Sequence, residues 1–277
     1  MTGPLLVVDG DSFAHRAYHA MPKSIRGEGG RPAGAIVGFA NMLMRLWEAT
    51  SPRAVLVGWD TLDVPTYRHE AFTGYQAGRE FDTALLAQLP LLPEFVRAAG
   101  FAAARAPGYE ADDFLAAAVA SEEARGGTAL VATSDRDSFQ LASERTTILQ
   151  PVRGVSELAR IGPAEVRERY GVQPEQVPDF IALRGDPSDR IPGARGVGPK
   201  SAADVLRQYG SLEAALEAGR FSEQAEDLRL YRRMATLDAS APLPCLDDQT
   251  PSWAEASNLV RGWGLTALAD RLLGLAS

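Results

Sequence analysis

The sequence predicts an α/β fold in which a mostly parallel sheet, flanked by helices, is followed by a smaller helical part. In the first part, short apolar runs rich in β-branched residues alternate with amphipathic helical patterns. After about Pro163, helical patterns punctuated by Gly and Pro dominate. Strands that alternate with helices favour a parallel sheet covered on both faces. The predicted division near residue 165 gives two parts, residues 1–165 and 166–277.

Four buried strands are predicted in the first part, at residues 5–8, 54–57, 128–132 and 146–149. Each is short and apolar, as expected of a strand inside a covered sheet. The clearest helical pattern between them places apolar side chains on one face, at i, i+3, i+4, i+7 and i+11: Ile36, Phe39, Ala40, Leu43 and Trp47. A second pattern spans residues 114–119.

The second part is predicted to be helical throughout. Helices are expected at residues 164–170, 174–183, 200–209, 211–218, 223–237 and 253–273. Residues 239–251 contain Pro and Asp and predict an extended loop.

Composition narrows the class of protein. A net charge of -8 lacks the basic excess typical of nucleic-acid-binding proteins, so charge alone does not favour such a partner. The single cysteine, Cys245, excludes a disulfide framework and, with three histidines, disfavours a zinc site. Neither a signal peptide nor an apolar run of ~18 residues is found. We therefore expect a cytoplasmic protein without a membrane span.

Aspartates follow three of the four predicted strands. Asp9 comes directly after the first strand, Asp60 follows the second, and Asp135 and Asp137 follow the third. Ligands bind outside the carboxyl ends of the strands in open parallel sheets. We therefore expect these carboxylates to lie at one edge of the sheet.

Further acids lie at Glu110, Asp112 and Asp113, where a helix begins, and at Asp186 and Asp189. Within that first group, Glu110 and Asp113 share a face if all of it is helical, whereas Asp112 joins them only if Glu110 precedes the first turn. Any single Asp of this kind is more often a turn former or a helix N-cap. Taken together, however, two unit charges ~4 Å apart repel by about 4 kcal/mol at an effective dielectric of 20. Convergent carboxylates would need protons or cations, and hard oxygen ligands select Mg²⁺ or Mn²⁺.

Six segments of the chain together resemble the 5′ nuclease family. This family comprises the 5′-exonuclease domain of bacterial family A DNA polymerases and its stand-alone flap-endonuclease relatives. The matching segments are Val-Asp-Gly at 8–10, Trp-Asp at 59–60 with Tyr-Arg-His-Glu at 67–70, Pro-Gly-Tyr-Glu-Ala-Asp-Asp at 107–113, Ser-Asp-Arg-Asp-Ser-Phe-Gln-Leu at 134–141, and Ala-Leu-Arg-Gly-Asp-Pro-Ser-Asp-Arg-Ile-Pro-Gly at 182–193.

The resemblance implies a PIN-like nuclease domain followed by a helical H3TH module, which is of the helix-hairpin-helix type. It implies two or three Mg²⁺ or Mn²⁺ ions, a monomer, and DNA as partner in the form of 5′ flaps, nicked or branched duplexes or RNA primer–DNA hybrids. The implied metal ligands, direct or through water, are Asp9, Asp60, Glu110, Asp112, Asp113, Asp135, Asp137, Asp186 and Asp189.

Residues 193–202 predict a hairpin between two helices. Gly196 and Gly198 permit a close backbone approach, and Pro199 suits the first helical position. Free backbone N–H groups there would face a phosphate, and the expected DNA contacts are Arg195, Gly196, Gly198, Lys200 and Ser201. The resemblance adds a K⁺ ion on the loop carbonyls. Without the flanking aspartates, an ordinary Gly-rich turn would be the preferred interpretation.

In the family, the region that corresponds to residues of about 61–90 of this chain forms an arch over the active site. Basic residues alternate here with aromatic ones, as suits a single strand, and Tyr67, Arg68 and Tyr75 are the expected DNA contacts. Arg79 and Arg16 are expected to act on phosphate near the reaction, although a surface loop and a surface helix charge are the simpler interpretations.

Gln76 departs from the family pattern, in which many members have a lysine near the scissile phosphate. A neutral amide cannot offset charge as lysine would, and Arg79 is expected to substitute in part. Three functions therefore stay open. The first is an active two-metal 5′-3′ exonuclease or flap endonuclease of replication or repair, the second a catalytically weak branched-DNA-binding protein, and the third a PIN-type RNase.

Overall fold

The computed structural model describes residues 3–61, 64–76, 81–153 and 157–276. Within them lies a six-stranded sheet composed of β1 (Leu5–Asp9), β2 (Ala54–Gly58), β3 (Ala102–Ala104), β4 (Ala129–Ala132), β5 (Thr146–Arg153) and β6 (Glu157–Ile161). The strand order is β3-β2-β1-β4-β5-β6. All neighbours pair in parallel except β5 and β6, which are antiparallel. The predicted mostly parallel sheet is confirmed, and β1 lies at its centre.

The four predicted strands are present, but two further strands were missed. β3 contains three alanines, too short a run to give a pattern. β6 is an edge strand with an alternating, partly exposed sequence, Glu-Leu-Ala-Arg-Ile, rather than a continuous apolar run. Both strands lie at the edges of the sheet, where burial constrains the sequence least.

Thirteen α-helices are described, and the first six belong to the sheet-containing part: α1 (Gly10–Ala20), α2 (Gly34–Thr50), α3 (Tyr67–Ala71), α4 (Thr83–Leu86), α5 (Leu92–Ala98) and α6 (Ala111–Ala124). The others follow the sheet: α7 (Pro163–Tyr170), α8 (Val177–Arg184), α9 (Pro199–Tyr209), α10 (Leu212–Glu217), α11 (Ala225–Ala235), α12 (Trp253–Gly262) and α13 (Thr266–Ala276). Among the described residues, no helix is both long and apolar enough to cross a lipid bilayer.

Alternate residues of β1 face two different hydrophobic clusters. Leu5 and Val7 pack with α6 and with helices α8 to α11. Leu6 and Val8 pack with α1, α2, α5, α12 and α13 on the opposite face. This period of two places a buried layer on each side of a central strand. The helical part is therefore continuous with the core on one face of the sheet.

Two helix predictions in the second part were wrong in detail. The helix predicted at 253–273 is two helices, because Gly264 adopts φ +78 and lies against the backbone of Glu28. The helix predicted at 174–183 begins as a 3₁₀ turn, Pro174–Gln176. The predicted loop at 239–251 is confirmed, and it returns to the sheet, where the Gln249 N–H donates to the Arg53 carbonyl at 2.8 Å.

The predicted division at residue 165 falls inside α7. Since α12 and α13 pack on the sheet, the residues after 165 divide between the hairpin-bearing helices and the far face of the sheet. The division of the chain into two domains, residues 1–165 and 166–277, stays a prediction.

Candidate active site

The carboxyl ends of β1, β2 and β4, the start of α6 and the loop after α8 enclose one cleft of about 950 Å³. Acidic side chains from residue 9 to residue 189 line it. The structure thus brings together eight of the nine predicted metal ligands: Asp9, Asp60, Glu110, Asp112, Asp135, Asp137, Asp186 and Asp189.

Asp9 has both roles that its position after a strand suggests. Its Oδ1 accepts from the Ser12 N–H at 3.0 Å and caps α1, while its Oδ2 accepts from the Thr133 hydroxyl at 2.7 Å. Burial, with repulsion from Asp60 and Asp135, raises the pKa of Asp9 from 3.8 to about 7. The residue that caps α1 therefore also contributes a carboxylate to the cleft, where burial and neighbouring charges disfavour the ionised form.

Asp60 is held between two other elements. Its backbone N–H donates to Asp11 Oδ2 at 2.7 Å, and its Oδ1 accepts from the Ala111 N–H at 2.7 Å, at the start of α6. Sequence reasoning missed Asp11, which also lines the cleft. The repeated acid in Asp-Gly-Asp, two residues after Asp9, was the available signal.

Asp135 lies at the electrostatic centre of the cleft. Its Oδ1 accepts from the Asp137 N–H at 2.9 Å. Beside the larger effect of burial, its charge raises the pKa of four neighbours: Asp9, Asp112, Asp137 and Asp189. For Asp189 the resulting pKa is about 6. Side chains that raise one another's pKa in this way share one pocket.

The helical part supplies two of the acids through a tight loop after α8. Asp186 and Ile191 exchange backbone hydrogen bonds of 2.8 Å, so the loop closes on itself. Asp186 accepts from the Ser188 N–H at 2.8 Å and pairs with Arg184 at 3.1 Å. This closed loop places Asp186 and Asp189 in the lining of the cleft.

Gln76 also reaches this loop. Its Nε2 donates to Asp189 Oδ1 at 2.9 Å and to the Tyr75 hydroxyl at 3.0 Å, and its own φ is +46. Arg16, on α1, lines the cleft as expected. Arg79, expected to act on phosphate, lies outside the described residues.

Asp113, predicted as a metal ligand direct or through water, does not line the cleft. Its carboxylate is fully buried behind the cleft, where it accepts from the Glu110 N–H at 3.0 Å and pairs with Arg68 at 2.8 Å. Because Glu110 is the N-cap of α6, the next turn directs Asp112 to the cleft and Asp113 inward. Glu110 thus precedes the first turn of the helix, which was the condition for Asp112 to lie with it.

Two residues predicted to contact DNA, Arg68 and Tyr75, are also buried. Arg68 is 1% exposed and pairs with the acids of α6. Tyr75 is 3% exposed and donates its hydroxyl to Glu110 Oε2 at 2.9 Å, so its ring is not open for stacking. Tyr67 is half-buried, and its hydroxyl donates to the Thr236 carbonyl at 3.2 Å.

The predicted hairpin presents its backbone to solvent, beside a second pocket of about 540 Å³. Gly196 has φ +74, and α9 begins immediately after Gly198. The five residues predicted to contact DNA here are exposed: Arg195, Gly196, Gly198, Lys200 and Ser201. Their placement is compatible with a backbone grip on a phosphate.

The acids of the cleft suit hard divalent cations. Among the described residues, no three acidic, histidine or cysteine side chains already surround one point as a metal site would. Mg²⁺ retains several waters and takes one or two protein carboxylates together with substrate phosphates. The oxygen donors of these acids are the type of ligand that hard divalent cations bind in proteins.

Two family models match the chain. The 5′-3′ exonuclease N-terminal resolvase-like domain matches residues 4–171, and the 5′-3′ exonuclease C-terminal SAM fold matches residues 172–256. Among curated relatives, DNA polymerase I of Mycobacterium tuberculosis is 40% identical over 215 residues, covering 77% of this chain and 24% of the relative. The thermostable DNA polymerase I of Thermus thermophilus is 37% identical over 256 residues, covering 87% of this chain and 29% of the relative. The chain thus spans about a quarter of the length of these relatives.

Solved structures share the fold. The zinc-bound 5′-exonuclease of bacteriophage T5 has a TM-score of 0.70 at 18% identity, with 99% of each chain covered. Flap endonuclease-1 from Methanococcus jannaschii has a TM-score of 0.60 at 13% identity, covering 99% of this chain and 93% of that one. Since both family models align in order along nearly the whole chain, and since the polymerase relatives agree, the chain belongs to the 5′-3′ exonuclease family.

Proposed function

We propose that this protein is a divalent-metal-dependent, structure-specific 5′ nuclease that hydrolyses DNA phosphodiester bonds near 5′ ends and at flaps, in replication or repair. The convergence of eight carboxylates on one cleft carries the proposal. An exposed backbone hairpin on the same molecule offers a place to hold duplex without reading its sequence.

The carboxylates of the cleft would hold two or three Mg²⁺ or Mn²⁺ ions. Two such ions supply charge stabilisation to an attacked phosphate and to its leaving oxygen. Asp135, whose charge raises the pKa of Asp9 and Asp137 beside the larger effect of burial, would be one of these ligands. Asp113 is left out of the proposed ligand set because it lies behind the cleft.

Other groups would place the substrate. Arg16 projects into the cleft from α1 and is suited to a phosphate oxygen. Lys200 and the backbone N–H groups at the start of α9 would hold a phosphate of the duplex, with K⁺ on the hairpin carbonyls. A bacteriophage T5 flap endonuclease has been solved as a pseudo-enzyme-product complex with DNA and metal ions. That relative supports DNA as the partner proposed here.

The test is cleavage of a 5′-flap duplex with Mg²⁺ or Mn²⁺, alongside the same duplex without a flap. We expect metal-dependent products released at the flap junction and none in EDTA. Absence of products while calorimetry shows bound metal would reject the proposal. Equal cleavage of an RNA-only flap would instead favour the RNase interpretation.

One observation favours a second candidate, a branched-DNA-binding protein with slow turnover. Gln76 bonds Asp189 and carries no charge to offer a phosphate. If turnover is limited by this residue, Gln76→Lys raises the cleavage rate by ~10²-fold, the effect of one well-placed transition-state contact. A fast wild-type rate that Gln76→Lys leaves unchanged would exclude this candidate. The cytoplasmic location and the monomeric state stay predictions.

A further inference from the structure

Arg68 is the largest of the fully buried side chains in the described part of the protein. It belongs to α3, the short helix that the sequence placed in a DNA-contacting arch. A side chain that is 1% exposed cannot reach a DNA backbone without a large rearrangement. Its role must therefore come from what surrounds it.

The guanidinium meets all three acids at the start of α6. Nη1 lies 3.1 Å from Glu110 Oε2 and 3.4 Å from Asp112 Oδ1, and Nη2 lies 2.8 Å from Asp113 Oδ1. Two of these acids face the cleft, and the third does not. Arg68 thus touches the carboxylates of the cleft from behind.

The same side chain also reaches the helical part. Its Nε donates to the Met234 carbonyl at 3.0 Å, near the end of α11. Its partner Asp113 accepts from the Asp238 N–H at 2.9 Å, just beyond that helix. Nearer its start, α11 carries Asp227 and Tyr231, which line the hairpin pocket. Arg68 and Asp113 therefore tie the end of α11 to the acids of the cleft.

The chemistry of arginine suits this position. A guanidinium stays protonated even when buried, and its rigid fork fixes the direction of several acceptors at once. A lysine would retain the charge but not the fork. Groups of this kind, which orient metal ligands from behind, commonly change metal affinity by ~10–100-fold when altered.

We propose that Arg68 is a positioning residue that, anchored at the end of α11, sets Glu110 and Asp112 for cation binding. The proposal rests on the proposed function, since it assigns cations to the cleft. It opposes the sequence-based expectation that Arg68 contacts DNA.

The experiment compares Arg68→Lys and Arg68→Gln with Lys200→Ala, a substitution in the exposed hairpin. Mn²⁺ binding without DNA is measured by calorimetry, and flap-duplex binding is measured in Ca²⁺ over a range of salt concentrations. We expect both Arg68 variants to need ~10-fold more Mn²⁺ while the salt slope of DNA binding stays at the wild-type value. Lys200→Ala should show the reverse, with unchanged Mn²⁺ binding and a salt slope smaller by about 1.

Circular dichroism and thermal unfolding establish that the variants are folded. If both Arg68 variants unfold, Asp113→Asn loosens the same cluster with a side chain of equal shape and should also raise the Mn²⁺ requirement. Unchanged Mn²⁺ affinity in the folded variants, or a reduced salt slope for Arg68→Lys, would overturn the proposal. A wild-type protein that binds Mn²⁺ but does not cleave flaps would refute the proposed function and leave the Arg68 result standing.

Discussion

The acidic cleft and the glycine hairpin use opposite parts of the chain. In the cleft, side chains carry the chemistry, and hydrogen bonds such as Thr133 to Asp9 and Tyr75 to Glu110 hold them in a partly buried wall. At the hairpin, the backbone is exposed, and a positive φ at Gly196 sets its shape. Substitutions of acidic side chains should therefore affect the cleft, whereas substitutions that alter the backbone conformation should affect the hairpin.

The two sites also differ in what the protein alone can stabilise. Burial raises the pKa of Asp9 and of Asp189, and repulsion from neighbouring carboxylates of the cleft raises it further. The hairpin has no comparable accumulation of charge among its described lining residues. Folding thus brings repelling charges together in the cleft but does not do so at the hairpin.

The largest expected effect is that of Asp135→Ala. We expect cleavage to fall by at least ~10²-fold, because Asp135 is one of the proposed metal ligands. The metal-free protein should unfold at the same or a higher temperature, since four neighbouring acids lose a repulsive partner. Flap cleavage and thermal unfolding in EDTA measure the two effects.

Asp270→Ala, a change in an exposed acid paired with Arg261, serves as the control and should alter neither quantity. An Asp135→Ala protein that turns over at the wild-type rate would remove Asp135 from the proposed ligand set.

A smaller effect is expected at Asp11, where two substitutions separate position from charge. Asp11→Asn retains an oxygen that can accept the Asp60 N–H, whereas Asp11→Ala does not. If Asp11 acts by holding Asp60, we expect Ala to lower cleavage ~10-fold and Asn to restore most of it. Equal losses in both variants would show that the charge itself is needed, which would make Asp11 a ligand candidate.

At the hairpin, Gly196→Ala should weaken flap binding ~5-fold, because a residue with φ +74 disfavours a side chain at a cost of about 1 kcal/mol. No described atom lies within 4 Å of the added methyl carbon, so crowding within the protein is not the cause. Binding is measured in Ca²⁺, and cleavage at saturating DNA should change little.

Gly198→Ala is the matched control, since Gly198 has φ -95 and equally open surroundings. If it weakens binding as much as Gly196→Ala does, close approach of DNA matters more than backbone conformation.

The smallest effect concerns pH in the absence of metal. The pKa is raised from 3.8 to about 7 for Asp9 and to about 6 for Asp189. Between pH 3.8 and about 7, the folded state therefore holds more protons than the unfolded state. The free energy of unfolding in EDTA should therefore fall as pH rises from about 4 to about 7. Saturating Mg²⁺ should remove this fall, and Asp135→Ala should reduce it. If the stability of the metal-free protein instead rises over this range, the interpretation that carboxylates repel one another in the folded cleft is contradicted.

The sequence predicted the convergence of the acids because strand polarity alone places Asp9, Asp60 and Asp135 at one edge of a parallel sheet. It could not separate Asp112 from Asp113, since that depends on where α6 begins. Nor could it show that Arg68 and Tyr75 are buried, because a basic and aromatic segment looks the same whether it faces DNA or a carboxylate. Contacts that join distant segments, such as Arg68 to Met234, leave no local pattern.

The extended connection after α11 has a consequence for how the molecule could be rebuilt. The chain leaves the sheet at α7, forms the hairpin-bearing helices, and returns past Arg53 so that Trp253 packs edge-on against Phe101 and Trp47. The hairpin-bearing helices are therefore joined to the sheet-containing part by two connections rather than one. Two junctions must therefore be matched when these helices are transplanted from a relative. Truncation after α11 would also remove aromatic packing from the far face of the sheet.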